Sequence, residues 1–134
     1  MTSFMPPLTD RFGRSHTYLR ISVTDRCNLR CSYCMPANGV PWKPRAEILS
    51  LEEIHRLARV MVDMGIEKIR LTGGEPMVRR NLVGLIENLA TLPGVKTLAL
   101  TTNGTLLRSQ AQALRRSGLT ALNISLDTLR RDRF

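Results

Sequence analysis

The chain has 134 residues with 43% hydrophobic and only 4% aromatic residues, so Leu, Val, Ile, Met and Ala must fill one compact core. A net charge of +9 predicts attraction to anions, but the basic residues are scattered with nothing longer than short pairs such as Arg79-Arg80, and there is no aromatic set for stacking single strands. Pro6 and Pro7 interrupt the first twenty residues and no apolar run reaches bilayer length, which argues against a signal peptide or membrane span and for a cytoplasmic location.

Residues 1–17 are polar, Pro-bearing at the start, and are expected to form a surface arm ahead of a domain over 18–134. "YLRISVT" (18–24) alternates Leu19, Ile21 and Val23 with polar partners, which is strand chemistry. "CNLRCSYC" follows and holds all three cysteines, Cys27, Cys31 and Cys34. Four residues that bar regular structure (Pro36, Gly39, Pro41, Pro44) make 35–47 a long loop.

Ser50 and Glu53 of "SLEE" form a capping-box pattern, so a helix starts there, presents Leu51, Ile54, Leu57, Ala58 and Met61 on one stripe, and stops at Gly65. "EKIRLT" (67–72) is a second strand and "GGEP" (73–76) a turn. A second helix over about 81–92 places Leu82, Leu85, Ile86 and Leu89 on one face. A third strand at 95–102 leads through Asn103-Gly104 into a helix over about 105–117. A fourth strand at 120–127 precedes "TLRRDRF", which reads as a helix start.

Strand–helix alternation of this kind specifies an α/β fold with a parallel sheet. Ligands of such sheets collect beyond the C-terminal strand ends, and the cysteines, "GGEP", "TTNG" and "SLD" all fall there. The unfinished last helix and the raw edge of strand four, with Leu122, Ile124 and Leu126, suggest the N-terminal part of a longer protein, and leave self-association as a homo-oligomer open.

Three cysteines cannot form a disulfide framework, because one thiol is left over. Unliganded packing suits a more apolar segment than this one. A redox pair of Cys31 and Cys34 leaves Cys27 without a task. Structural zinc needs a fourth ligand, which His16 or His55 would have to supply. Three thiolates on a [4Fe–4S] cube leave one iron bare, where a small molecule can bind and receive an electron.

The C-x3-C-x2-C spacing, the aromatic Tyr33 before its last cysteine, and "GGEP" after strand two resemble the radical S-adenosylmethionine (SAM) superfamily. More narrowly, "FGRSHTYLRISVTDRCNLRCSYCMP", "IRLTGGEPMVRRNL", "TTNG" and "LNISLDTL" resemble the GTP 3′,8-cyclases, which act first in molybdenum cofactor biosynthesis. The resemblance implies the first four βα units of a partial, TIM-like parallel barrel. It also implies that Cys27, Cys31 and Cys34 hold a [4Fe–4S] cluster, with SAM on its open iron and contacted by Tyr33, Gly74 and Ser125. GTP would be held by Arg20, Arg70 and Thr101. Reductive cleavage of SAM, fed by an electron donor, would give a 5′-deoxyadenosyl radical that takes hydrogen from the GTP ribose C3′, after which the carbon radical attacks C8 of the guanine.

The family carries a second three-cysteine cluster near its C-terminus, whereas no cysteine follows Cys34 here, so the chain alone is not expected to turn over GTP. Thr101 could equally be an ordinary strand residue, and Arg20 and Arg70 could simply pair with Glu75 or Asp25. Two other readings compete: a different radical SAM enzyme acting on a peptide or tRNA, and a non-catalytic metal-binding domain that meets nucleic acid through its charge.

Overall fold

The computed structural model describes residues 6–133. Four strands, β1 (Tyr18–Ser22), β2 (Lys68–Thr72), β3 (Thr97–Thr102) and β4 (Ala121–Ile124), form one sheet in the order β1-β2-β3-β4, with every neighbouring pair parallel. The crossovers carry α1 (Leu51–Asp63), α2 (Leu82–Ala90) and α3 (Leu107–Arg116). Parallel neighbours require such long connections, so the strand–helix alternation in the sequence becomes this sheet.

Local chemistry explains where α1 begins and ends. The Ser50 hydroxyl accepts from the Glu53 N–H at 3.1 Å, and the Glu53 carboxylate accepts from the Ser50 N–H at 2.7 Å, so two otherwise orphaned donors are satisfied. Gly65 (φ 101°) turns the chain away past the other end. The buried stripe is Ile54, Ala58 and Val62, while Leu57, expected on it, lies on the flank and is 40% exposed. Leu82, Leu85, Ile86 and Leu89 of α2 are all buried, as their spacing predicts.

The two faces of the sheet differ sharply. Ile21, Ile69, Leu71, Leu98 and Leu100 point to the helices and are buried with them in one core. By the two-residue alternation of strands, Tyr18, Arg20, Ser22, Lys68, Arg70, Thr101 and Asn123 share the opposite face. Parallel sheets are usually covered on both faces, so an open face this polar and basic is unusual.

Before β1, the Leu8 N–H donates to the Met64 carbonyl (3.2 Å) and Thr9 and Ser15 form an antiparallel bridge, which sets residues 8–16 against the far end of α1. Strands are shorter than periodicity suggests: β1 stops at Ser22 and β4 at Ile124. After β4 the expected helix is only a single 3-10 turn, Arg131–Arg133.

Candidate metal and ligand site at the strand ends

Backbone pairing continues past β1 and β2 and draws two loops together. The Val23 N–H donates to Thr72 O (2.9 Å), the Gly74 N–H to Thr24 O (2.9 Å) and the Glu75 N–H to Arg26 O (2.8 Å). The segment leading into Cys27 is thereby fastened to the "GGEP" turn. A Cβ on Gly73 would lie 2.6 Å from the Thr24 carbonyl oxygen, and one on Gly74 would overlap the Arg26 carbonyl. Both glycines are thus required by close backbone approach, independently of any ligand.

Glu75 fastens this turn to the end of β3. Its buried carboxylate accepts from the Met77 N–H (3.0 Å), the Thr102 hydroxyl (2.6 Å) and the Asn103 N–H (2.7 Å). Asn103 in turn donates from its amide to the Asn28 side-chain oxygen (3.0 Å), and the Asn28 amide donates to the Thr105 hydroxyl (2.9 Å). The cysteine loop is therefore held at the tip of β3 as well. Its other attachment is Tyr33, whose hydroxyl donates to both carboxylate oxygens of Asp127 at 3.1 and 3.2 Å. That hydrogen bond, with the nearby negative charge, raises the Tyr33 ionisation above the usual tyrosine range, and Cys31 and Cys34 add smaller pushes.

All three thiols are free of disulfides; Cys27 and Cys31 are half-buried and Cys34 is exposed. The loop is shaped by its own backbone: the Cys34 and Met35 N–H groups both donate to the Cys31 carbonyl, and the Leu29 N–H approaches the Cys27 sulfur at 3.4 Å. Arg30 donates to the Cys27 and Leu29 carbonyls (2.9 Å each) and stacks on the Trp42 ring, which pins the long loop over the cysteines.

Among the described residues no three Cys, His, Asp or Glu converge on one ion. A cube asks for something else, since each thiolate takes a different iron, and three accessible, unpaired thiols on one short loop suit it. The histidines considered as further ligands sit apart: His16 is in the arm, 3.6 Å from Asp10, and His55 is on α1.

On the polar face, Arg70 donates to the Tyr18 hydroxyl (2.6 Å), the Thr101 hydroxyl (2.9 Å) and the Asn123 oxygen (2.6 Å). Arg20 and Arg70 are direct neighbours across β1 and β2. Neither pairs with Glu75 or Asp25, the bland alternative for them. Glu75 is satisfied as described, and Asp25 accepts from the Lys43 N–H at 2.7 Å. Like charges directly opposite one another disfavour pairing, so two guanidinium groups here make a place where an anion is stabilising. Ser125 is exposed beyond β4, its N–H donating to Thr102 O at 2.8 Å.

Four residues with structural roles at this rim escape a reading of local pattern. Glu75, Asn28 and Asp127 act through partners on other segments. Arg79 donates to the Val23 carbonyl (3.0 Å) and the Leu49 carbonyl (2.9 Å), joining the end of β1 to the loop before α1. The concentration of Asn, Asp and Glu in the turns after strands was the available signal.

Residues 21–133 match the radical SAM superfamily. Molybdenum cofactor biosynthesis protein 1 of Drosophila melanogaster is 59% identical over 128 residues, which is 96% of this chain and 23% of that protein. A GTP 3′,8-cyclase of Moorella thermoacetica is 57% identical over 127 residues, covering 95% of this chain and 39% of that protein. The chain therefore spans well under half the length of these curated relatives. Among solved structures, Streptococcus suis SuiB bound to precursor peptide SuiA superposes with a TM-score of 0.65 at 27% identity, over 87% of this chain and 26% of that one. No helix among the described residues is long and apolar enough to cross a membrane. With the motif residues gathered at one rim and the match extending over most of its length, the chain belongs to the radical SAM superfamily.

Proposed function

We propose that this chain is the cluster- and SAM-binding part of a GTP 3′,8-cyclase acting in molybdenum cofactor biosynthesis. The observation that carries the reading is the identity of 57–59% over at least 95% of the chain to proteins bearing those names. The SuiB likeness supports the superfamily but not the peptide-directed alternative, because its identity is only 27%.

In this reading Cys27, Cys31 and Cys34 hold three irons of a [4Fe–4S] cluster and leave the fourth for SAM. When bound, the cluster supplies the single electron that splits SAM into methionine and the radical that takes hydrogen from GTP. The chain's own residues bind and orient. In this reading Gly74 offers its backbone and Tyr33 and Ser125 their side chains to SAM, while Arg20, Arg70 and Thr101 take GTP. Thr101 is already oriented by the guanidinium of Arg70. The resemblance also implies a second cluster, which would rest on cysteines other than these three. An external electron donor, a cytoplasmic setting and an arm over residues 1–17, of which 1–5 lie outside the described residues, belong to the same reading.

Anaerobic reconstitution with iron and sulfide tests it. The chain should take up about four irons, and Cys27→Ala, Cys31→Ala and Cys34→Ala should each abolish the cluster. Full iron content in all three variants would overturn the assignment.

A further inference from the structure

The reaction just proposed consumes an electron that this chain does not hold, and one surface beside the cysteine loop remains unused by the SAM and GTP assignments. A cleft of about 760 Å³ opens between the segment before Cys27, the loop before α1, and the residues between β2 and α2. Five cations line it, Arg26, Lys43, Arg45, Arg79 and Arg80, against two carboxylates, Asp25 and Glu52.

Most of this positive charge is uncompensated. Lys43 reaches Glu47 at 3.2 Å, but Arg26, Arg45, Arg79 and Arg80 take part in no ion pair among the described residues. Arg79 spends donors on two carbonyls, which fixes the guanidinium in the cleft wall. Its charge is opposed only at longer range by Glu52, whose ionisation is lowered first by a backbone hydrogen bond and in smaller part by Arg79. Arg26, Arg45 and Arg80 are exposed. One wall of the cleft is the chain running directly into Cys27, so charge arriving there is one residue from a cluster-holding thiol.

We infer that this cleft is the docking surface for a small acidic electron-carrier protein, a proposal that rests on the function proposed above. Complementary charge steers such a partner and sets its orientation. Its cofactor gives up one electron and the cluster gains one, with no bond made or broken. The two carboxylates in the lining would repel a compact phosphate ligand, whereas a protein face can set its own acids on the arginines and avoid them. No aromatic residue lines the cleft, which argues against single-stranded nucleic acid.

Binding of a low-potential bacterial flavodoxin of net negative charge, followed by flavin fluorescence anisotropy, tests the proposal without requiring a loaded cluster. Flavodoxin should bind the chain at low salt and lose about tenfold or more in affinity as salt rises to about 0.3 M. The double variant Arg45→Glu/Arg80→Glu should weaken binding by a similar factor, while Arg45→Lys/Arg80→Lys should bind as the parent does, and circular dichroism should show both folded. In reconstituted protein, the charge-reversed variant should slow reduction by flavodoxin but not by reduced methyl viologen, a cation. Equal affinity of parent and charge-reversed variant would overturn the docking surface, as would absence of binding. So would tripolyphosphate binding that the charge reversal weakens while flavodoxin does not bind. Failure to assemble a cluster would strike the proposed function instead, and is read separately from iron content.

Discussion

The Glu75 carboxylate lies 2.6 Å from the Thr102 hydroxyl, both side chains being buried, and this contact joins the turn after β2 to the end of β3. Thr102 passes the link on by accepting from the Gly104 N–H at 3.1 Å. Glu75→Ala should leave the Met77 and Asn103 N–H groups without their acceptor, at about 1–3 kcal/mol for each donor left unpaired. Glu75→Gln should recover part of the loss, because its amide oxygen can still accept one of them. Urea unfolding midpoints of the three proteins measure the difference.

Gly74→Ala is expected to be harmful for a different reason. The added methyl would meet the Arg26 carbonyl, and overpacking against backbone destabilises by about 1–3 kcal/mol. The same substitution should displace Cys27, one residue further on, so reconstituted iron should fall alongside the thermal midpoint. Stability and iron content unchanged from the parent would contradict the close approach.

Removal of either guanidinium should weaken GTP binding far more than folding. Arg20 and Arg70 face the open side of the sheet, and Arg70→Ala releases partners that water can reach. Calorimetry should show GTP affinity reduced about tenfold or more by Arg20→Ala or Arg70→Ala, equivalent to about 1.4 kcal/mol. Lys96→Ala is the control, since Lys96 pairs with Glu67 at the other end of the sheet.

The Tyr33–Asp127 contact should be visible in a pH titration of the unloaded chain. Asp127 favours the protonated phenol, so the folded-state ionisation of Tyr33 lies above its unfolded value. The contact's contribution is complete below the unfolded tyrosine value of about 10 and is lost as pH rises through the higher folded value. Asp127→Asn should bring the phenolate absorbance step of Tyr33 down toward about 10, with Tyr18→Phe as background to leave a single tyrosine signal.

The edge of the sheet should govern the behaviour of the isolated chain. Leu122, Ile124 and Leu126 are 40%, 52% and 52% exposed, and among the described residues β4 has a neighbour on one side only. Covering the exposed half of one such side chain is worth roughly half of the 1.5–3 kcal/mol for full burial, and the three together favour self-association. Light scattering should show a concentration-dependent oligomer that Ile124→Lys shifts toward monomer.

Much of this architecture can be read in the sequence because it is local. The Ser50–Glu53 box, the 82/85/86/89 stripe and the rim position of the cysteines each depend on neighbours a few residues apart. What escapes is contact between distant segments. Glu75 meets Thr102 across 27 residues and Tyr33 meets Asp127 across 94, and no periodicity encodes either. Arg79 looks like one of a surface pair with Arg80, yet its carbonyl partners on two loops give it a fixed place in the cleft wall. Apolar alternation also runs past the strand ends: Val23 still donates to Thr72 O beyond the end of β1, whereas Leu126 lies in the loop after β4.

Cys27, Cys31 and Cys34 are proposed to hold a cluster with one iron open to SAM. The electron paramagnetic resonance spectrum of the reduced, reconstituted chain, recorded with and without SAM, tests it most directly. A ligand joining the open iron should change the spectrum even where no product forms. An identical spectrum at saturating SAM would mean that no iron is open to it, and would contradict the account.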